Sequence, residues 1–233
     1  MGRERGIRIG EETDRDGQYF HYLAMWLYAL AILARHIPAY RQKGVDLVRE
    51  IHQPFLFPGR GIYWKMKEDL SGPYPGYGLG ALDCFDGYVS YRMLDGQALA
   101  TEIAELKSLI DKTYTDLIIT QDLGIGMMLW LSHFYPDEDW AILQQQRCLK
   151  MLDTMWQDAG YFSREPHLPD MRFAFTNYGV SVGLQAVGAM TSRVSQLNNC
   201  FEEYRSDDQY DLAAITHVMA CNSHFVGCLL KDS

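Results

Sequence analysis

Four residues have the types and settings that proton-transfer chemistry requires. The stretch Leu82-Asp83-Cys84-Phe85-Asp86-Gly87 carries two carboxylates three positions apart, and capping one helix needs only one of them. Asp122, after Gln121, is a third carboxylate without an evident structural task. His21 follows Gly17 by four residues and enters an otherwise apolar segment, which makes it the preferred general acid or base among seven histidines. His217 and His224 share a helical face seven apart and read as core histidines, while His36, His52, His133 and His167 lie near segment ends and read as solvated or helix-terminal. Asp16, Asp86, Asn177 and Asp211 also suit N-caps, a role worth about 1 kcal/mol each.

Around these groups the chain supplies rings and sulfur: Tyr19, Tyr22, Trp26, Tyr63, Trp64, Tyr88, Met128, Phe175 and Tyr178. Together they describe a wall for a flat or apolar small molecule held by shape, although any one of them is equally at home in a core. Lys65, Arg172 and Asn177 are placed to polarise a carbonyl. No G-x-S-x-G elbow, P-loop, H-E-x-x-H or Asp-rich diphosphate motif occurs, and Gly124-x-Gly126 has no strand before it, so no nucleotide cofactor is expected. Five scattered cysteines without a CxxC pair point to free thiols in a reducing, cytoplasmic setting rather than to a metal site or disulfide framework.

Helices must position these residues. Segments apolar nearly all round (19–34, 86–94, 123–134, 178–190 and 213–230) alternate with amphipathic ones near 45–51, at 97–114, at 139–156 and near 194–204. Short connections make neighbours antiparallel, so the buried helices all point one way and the Asp-, Gly- and Asn-rich loops leading into them share a rim. The expected fold is all-α: an incomplete α/α toroid of about nine helices in a single domain over 1–233. Residues 54–77, with four prolines and four glycines, break the rhythm; they are predicted to form an irregular lid over the pocket, with a short strand at 62–66.

The net charge of −9 offers no basic footprint for nucleic acid or an anionic membrane. The longest apolar run, Tyr22 to Ala34, has 13 residues, short of the roughly 20 a membrane span needs, and it lacks the flanks of a signal peptide. The expected partner is a small-molecule substrate.

Asp14-Arg15-Asp16-Gly17-Gln18-Tyr19-Phe20-His21-Tyr22, Ile62-Tyr63-Trp64-Lys65-Met66, Leu82 to Gly87, Asp122 to Gly126, Phe173 to Gly179 and Ile215 to Cys221 carry a resemblance. The chain resembles a largely uncharacterised family in the six-hairpin α/α-toroid class, which includes glycosidase-like and squalene-cyclase-like folds. The resemblance implies fold more strongly than function. About nine helices fall short of the twelve of a full ring, as if an N-terminal hairpin were missing. At Ala81-Leu82-Asp83 the family's bacterial pattern has a Gln-His pair before the aspartate, and Leu82 in its place weighs against inherited hydrolytic chemistry. The first expectation is therefore a metal-independent cyclase or pericyclase-like enzyme that shapes a terpenoid or polyketide precursor. The alternatives are a carbohydrate-processing enzyme using two of Asp83, Asp86 and Asp122, and a non-catalytic binding protein.

Overall fold

A computed structural model describes residues 17–157, 174–203 and 214–230, and among them the protein is all-α with four two-residue strands. These residues divide into two compact units, the first ending at Tyr114 and the second starting at Thr115. No proline or glycine marks that boundary, which is why composition alone does not reveal it.

The first unit is built on α1 (Phe20–Ala34), α2 (Ala39–Phe55), α3 (Asp83–Asp95) and α4 (Ala100–Thr113). Its core is aromatic and aliphatic: Phe20 meets Phe55 edge to face at 5.3 Å, and Leu27, Val48, Ile62, Tyr91 and Leu106 are fully excluded from water. Pro38 caps α2 and ends the turn after α1, because the residue before a proline avoids helical geometry. The helices α2 and α3 meet where Gly44 lies beside Leu94 and His52 packs against Tyr91. Gly87 lets α3 sit against both neighbours, since a Cβ there would lie 2.9 Å from Leu106 and 3.0 Å from Phe20. The amphipathic expectation holds for α2, where Val45, Val48 and Ile51 are buried.

The segment expected to be an irregular lid is tied to the core over part of its length, while residues 67–77 are exposed or half-buried. Pro54 lies in the last turn of α2, and β2 (Leu56–Phe57) folds back on β3 (Gly61–Ile62) through a turn in which Gly59 adopts φ +71°. The strand β4 (Lys65–Met66) then pairs antiparallel with β1 (Gln18–Tyr19), directly ahead of α1. The strand expected over 62–66 is thus split in two, because Tyr63 bridges to Leu79 while Lys65 turns to β1. Ile62, Lys65 and Met66 are all buried, so this part of the segment is tied to the core.

The second unit comprises α5 (Asp122–Ser132), α6 (Asp139–Gln157), α7 (Ala174–Ala186), α8 (Thr191–Glu203) and α9 (Ala214–His224), followed by a 3₁₀ turn at Val226–Leu229. Leu123 faces Gly179, Gly179 faces Met219, and Gln185 bonds the Ser223 carbonyl at 2.7 Å, so α5, α7 and α9 run parallel. Every residue from 177 to 184 is buried, as expected for an inner helix. The helix α9 departs from that expectation: Val218 is 53% exposed, and Phe225 beyond it 76%. Among the described residues no helix is long and apolar enough to cross a membrane.

Candidate active site at the start of α1 and α3

The first turns of α1 and α3 lie side by side and bring together three of the four residues expected to move protons. His21 Nδ1 and Asp86 Oδ2 are 2.9 Å apart; the imidazole side chain is 29% exposed and the carboxylate 2%. Asp83 sits one turn earlier on α3 and is likewise buried. Its carboxylate takes backbone N–H bonds from His21 and from its own residue, a pattern possible because both helices begin here and leave N–H groups unpaired. Gly80 closes over it: a Cβ at that position would fall 1.5 Å from Asp83 Oδ2. One oxygen of each carboxylate, Oδ1 of Asp83 and Oδ1 of Asp86, is buried with no hydrogen-bond partner.

Electrostatics separate the roles. Burial, reinforced by the negative charge of Asp86, pushes the Asp83 carboxyl up to about 8 against the opposing pull of His21 and the backbone bonds, so Asp83 keeps its proton at neutral pH. Burial works to lower the His21 pKa, but the charge and hydrogen bond of Asp86, with a contribution from Asp83, outweigh it and raise the pKa above its ordinary 6.5. Cys84, buried beside them, is pushed up to about 12 by burial and by the Asp83 charge, which makes it a poor nucleophile. Asp86 engages His21 through Nδ1.

The aromatic surface expected at the rim adjoins this cluster. Tyr22 lies 5.6 Å from the His21 ring and 5.5 Å from Tyr19, which meets Trp64 at 5.3 Å. Tyr22 and Trp64 are 52% and 40% exposed. Lys65 lies behind them, 1% exposed, with Nζ 4.7, 4.3 and 4.9 Å from the ring centres of Tyr19, Tyr74 and Tyr77. Burial works to lower its pKa, yet the hydrogen bond with Tyr19 and the coulombic pull of the Tyr19, Tyr77 and Tyr74 phenol groups raise it, so the amine stays charged.

Other expected residues fall elsewhere in the first unit. Trp26 lines a cavity of about 490 Å³ between α1 and α2 with Leu30, Tyr40, Lys43, Asp46, Leu47 and Glu50. Tyr63 stacks on Phe57, and Tyr88, buried, takes a 2.6 Å bond from Arg92. In the second unit, Asp122, the first residue of α5, accepts the Leu123 N–H through Oδ1 at 2.8 Å. Met128 and Tyr178 are buried at 0% and 3%, and Asn177, at 2%, lies in the first turn of α7. Arg172 lies outside the described residues; Phe175 is placed only by its backbone in α7.

Tyr74 and Tyr77 were not legible as part of the Lys65 cage, since nothing in a Pro/Gly-rich stretch fixes where its rings point. His52, expected to be solvated or helix-terminal, lies in the last turn of α2, where it is 1% exposed and bonded to Glu105 of α4 at 2.9 Å. His217 and His224, read as core, are exposed on α9. Among the described residues no three His, Cys, Asp or Glu side chains are grouped to hold a metal ion, and Cys84, Cys148 and Cys221 are free thiols.

No family model, curated protein or solved structure matches the chain.

Proposed function

We propose that the chain is an acid–base enzyme of the cyclase or isomerase type, acting on a small, largely apolar molecule seated on the Tyr19, Tyr22 and Trp64 rings. The observation that carries this reading is the 2.9 Å His21–Asp86 pair, whose imidazole remains partly open to that surface. Asp86 orients the ring and favours its protonated form, and His21 exchanges a proton with the substrate through Nε2. An imidazole whose pKa is raised above 6.5 by a carboxylate partner suits a group that must both give and take a proton. The alternation of buried and amphipathic helices, with the buried ones parallel in the second unit, supports the incomplete α/α-toroid arrangement. Free thiols fit a cytoplasmic setting.

A second reading, sugar chemistry, draws on one observation: Asp83 and Asp86 are neighbouring carboxyl groups, of which Asp83 holds its proton near pH 8. Thermal-shift screening against oligosaccharides and uronic acids on one side, and terpenoids, polyenes and polyketides on the other, separates the two. A ligand at 100 times its dissociation constant adds about 2.7 kcal/mol of stability. Stabilisation by apolar ring compounds that is lost in Trp64→Ala, with turnover abolished in His21→Gln, is the expected result. Stabilisation by sugars alone overturns it, and apolar binding without turnover leaves a binding protein.

A further inference from the structure

From the geometry around Lys65 we infer that Tyr19 is a hydrogen-bond donor to a carbonyl or enolate oxygen, with the caged ammonium behind it, so that the substrate is a ketone or related carbonyl compound. This rests on the acid–base reading of His21 and names the substrate class for the same site.

An ammonium on a residue only 1% exposed needs other groups around it to replace water. Here the faces of Tyr19, Tyr74 and Tyr77, each within 5 Å of Nζ, partly replace it. Backbone packing holds the amine in place: β4 is paired with β1, and Gly17 leaves room for the Lys65 stem, where a Cβ would stand 2.8 Å from Cε. An ammonium has donors and no acceptor. In its hydrogen bond with Tyr19 the amine therefore donates and the phenol oxygen accepts, which leaves the phenol proton to point at something else. Tyr19 is half-buried, and its ring joins the exposed Tyr22 and Trp64 surface that His21 also borders. A proton-exchanging imidazole and a phenol donor backed by a positive charge thus flank one aromatic platform.

That pairing matches what enolisation needs. Neutral His21 takes a proton from the carbon beside the carbonyl, so the C–H bond breaks and an N–H bond forms at Nε2. The C–H electron pair becomes the C=C bond while the C=O π pair moves onto oxygen. Tyr19 donates to that oxygen, and Lys65 stabilises the charge that develops there. Return of the proton from His21 to the same or another carbon completes an isomerisation, and attack of the enolate carbon on an electrophilic centre of the same molecule closes a ring.

Two probes test this on the full chain. The first is 2-naphthol, a flat mimic of an enolate whose absorption spectrum distinguishes the neutral and ionised forms. The wild type is expected to bind it as naphtholate at neutral pH, about tenfold more tightly than Tyr19→Phe, which keeps the ring and loses only the hydroxyl. Lys65→Met should show a similar loss, and His21→Gln should not. The second probe is 2-tetralone, whose α-proton exchange with D₂O is followed by NMR. Exchange is expected in the wild type, with a large loss in Tyr19→Phe and abolition in His21→Gln. No naphtholate binding, or binding and exchange that survive Tyr19→Phe, overturns the oxygen site. Naphtholate binding through Tyr19 without catalysed exchange leaves the oxygen site standing and sinks the proton-transfer role of His21.

Discussion

The α1–α3 joint of the first unit and the α5–α7 joint of the second solve one packing problem in opposite ways. Both bring two helices of one unit into close contact. In α5 and α7 contact is made by backbone, since a Cβ on Gly183 would lie 2.3 Å from the Gly126 carbonyl oxygen and one on Gly126 would lie 2.4 Å from that of Gly179. In α1 and α3 the gap is filled by His21, Asp83 and Asp86, two of them carboxylates with an unsatisfied buried oxygen. A glycine joint is tight and chemically silent. A joint packed with ionisable groups is costly to bury, and a cost of that kind marks a place where chemistry is worth testing.

Breaking the glycine joint should cost stability at any pH. Gly183→Leu forces a side chain into backbone that has no room to yield, and a loss of about 3 kcal/mol is expected, read as a lower urea midpoint. A midpoint unchanged from wild type would mean the two helices are not in backbone contact.

The polar joint is sharpened by pH. The folded Asp83 pKa, about 8, stands above its ordinary 3.8, so the fold favours the protonated form. The sign follows: its contribution is complete below pH 3.8 and is lost as pH rises towards 8, by at most about 1.4 kcal/mol per pH unit. Asp83→Asn, which cannot ionise, should flatten the fall of melting temperature between those limits. A variant whose profile follows the wild type's would remove Asp83 from the account.

Asp86→Asn tests the pair itself, with the smallest effect of the three. Because His21 is raised above 6.5 when folded, the stability it contributes is present below that value and fades as pH climbs through the folded pKa. The variant should lose about 2 kcal/mol near pH 6 and progressively less in alkaline solution, measured by chemical denaturation. A loss that grows with pH would contradict the ion pair.

Much of the scaffold is legible along the chain. The segment Tyr19 to Ala34 contains α1 because its apolar residues leave no polar face, and Leu99, Leu106 and Ile110 mark the buried side of the hairpin through α4. The two carboxylates of Asp83-Cys84-Phe85-Asp86 stand out because one cap cannot employ both, and His21 stands out against its apolar neighbours. Leu82, read as the loss of a polar partner, does not leave these carboxylates without an imidazole, because α1 supplies His21 from 65 residues away. Trp26 and Trp64 illustrate the opposite limit, since both are exposed aromatics in the first unit. Only the packing assigns Trp26 to the α1–α2 cavity and Trp64 to the Tyr19 surface.

What the sequence determined by itself is helix type and order, because hydrophobic periodicity is a local property that each segment carries wherever it sits. The folded chain alone decided that Lys65 would be buried among Tyr19, Tyr74 and Tyr77, that Asp83 would keep its proton, and that Gly126 would meet Gly183. Each of these depends on which groups from distant segments replace water around an atom, and no local pattern specifies that.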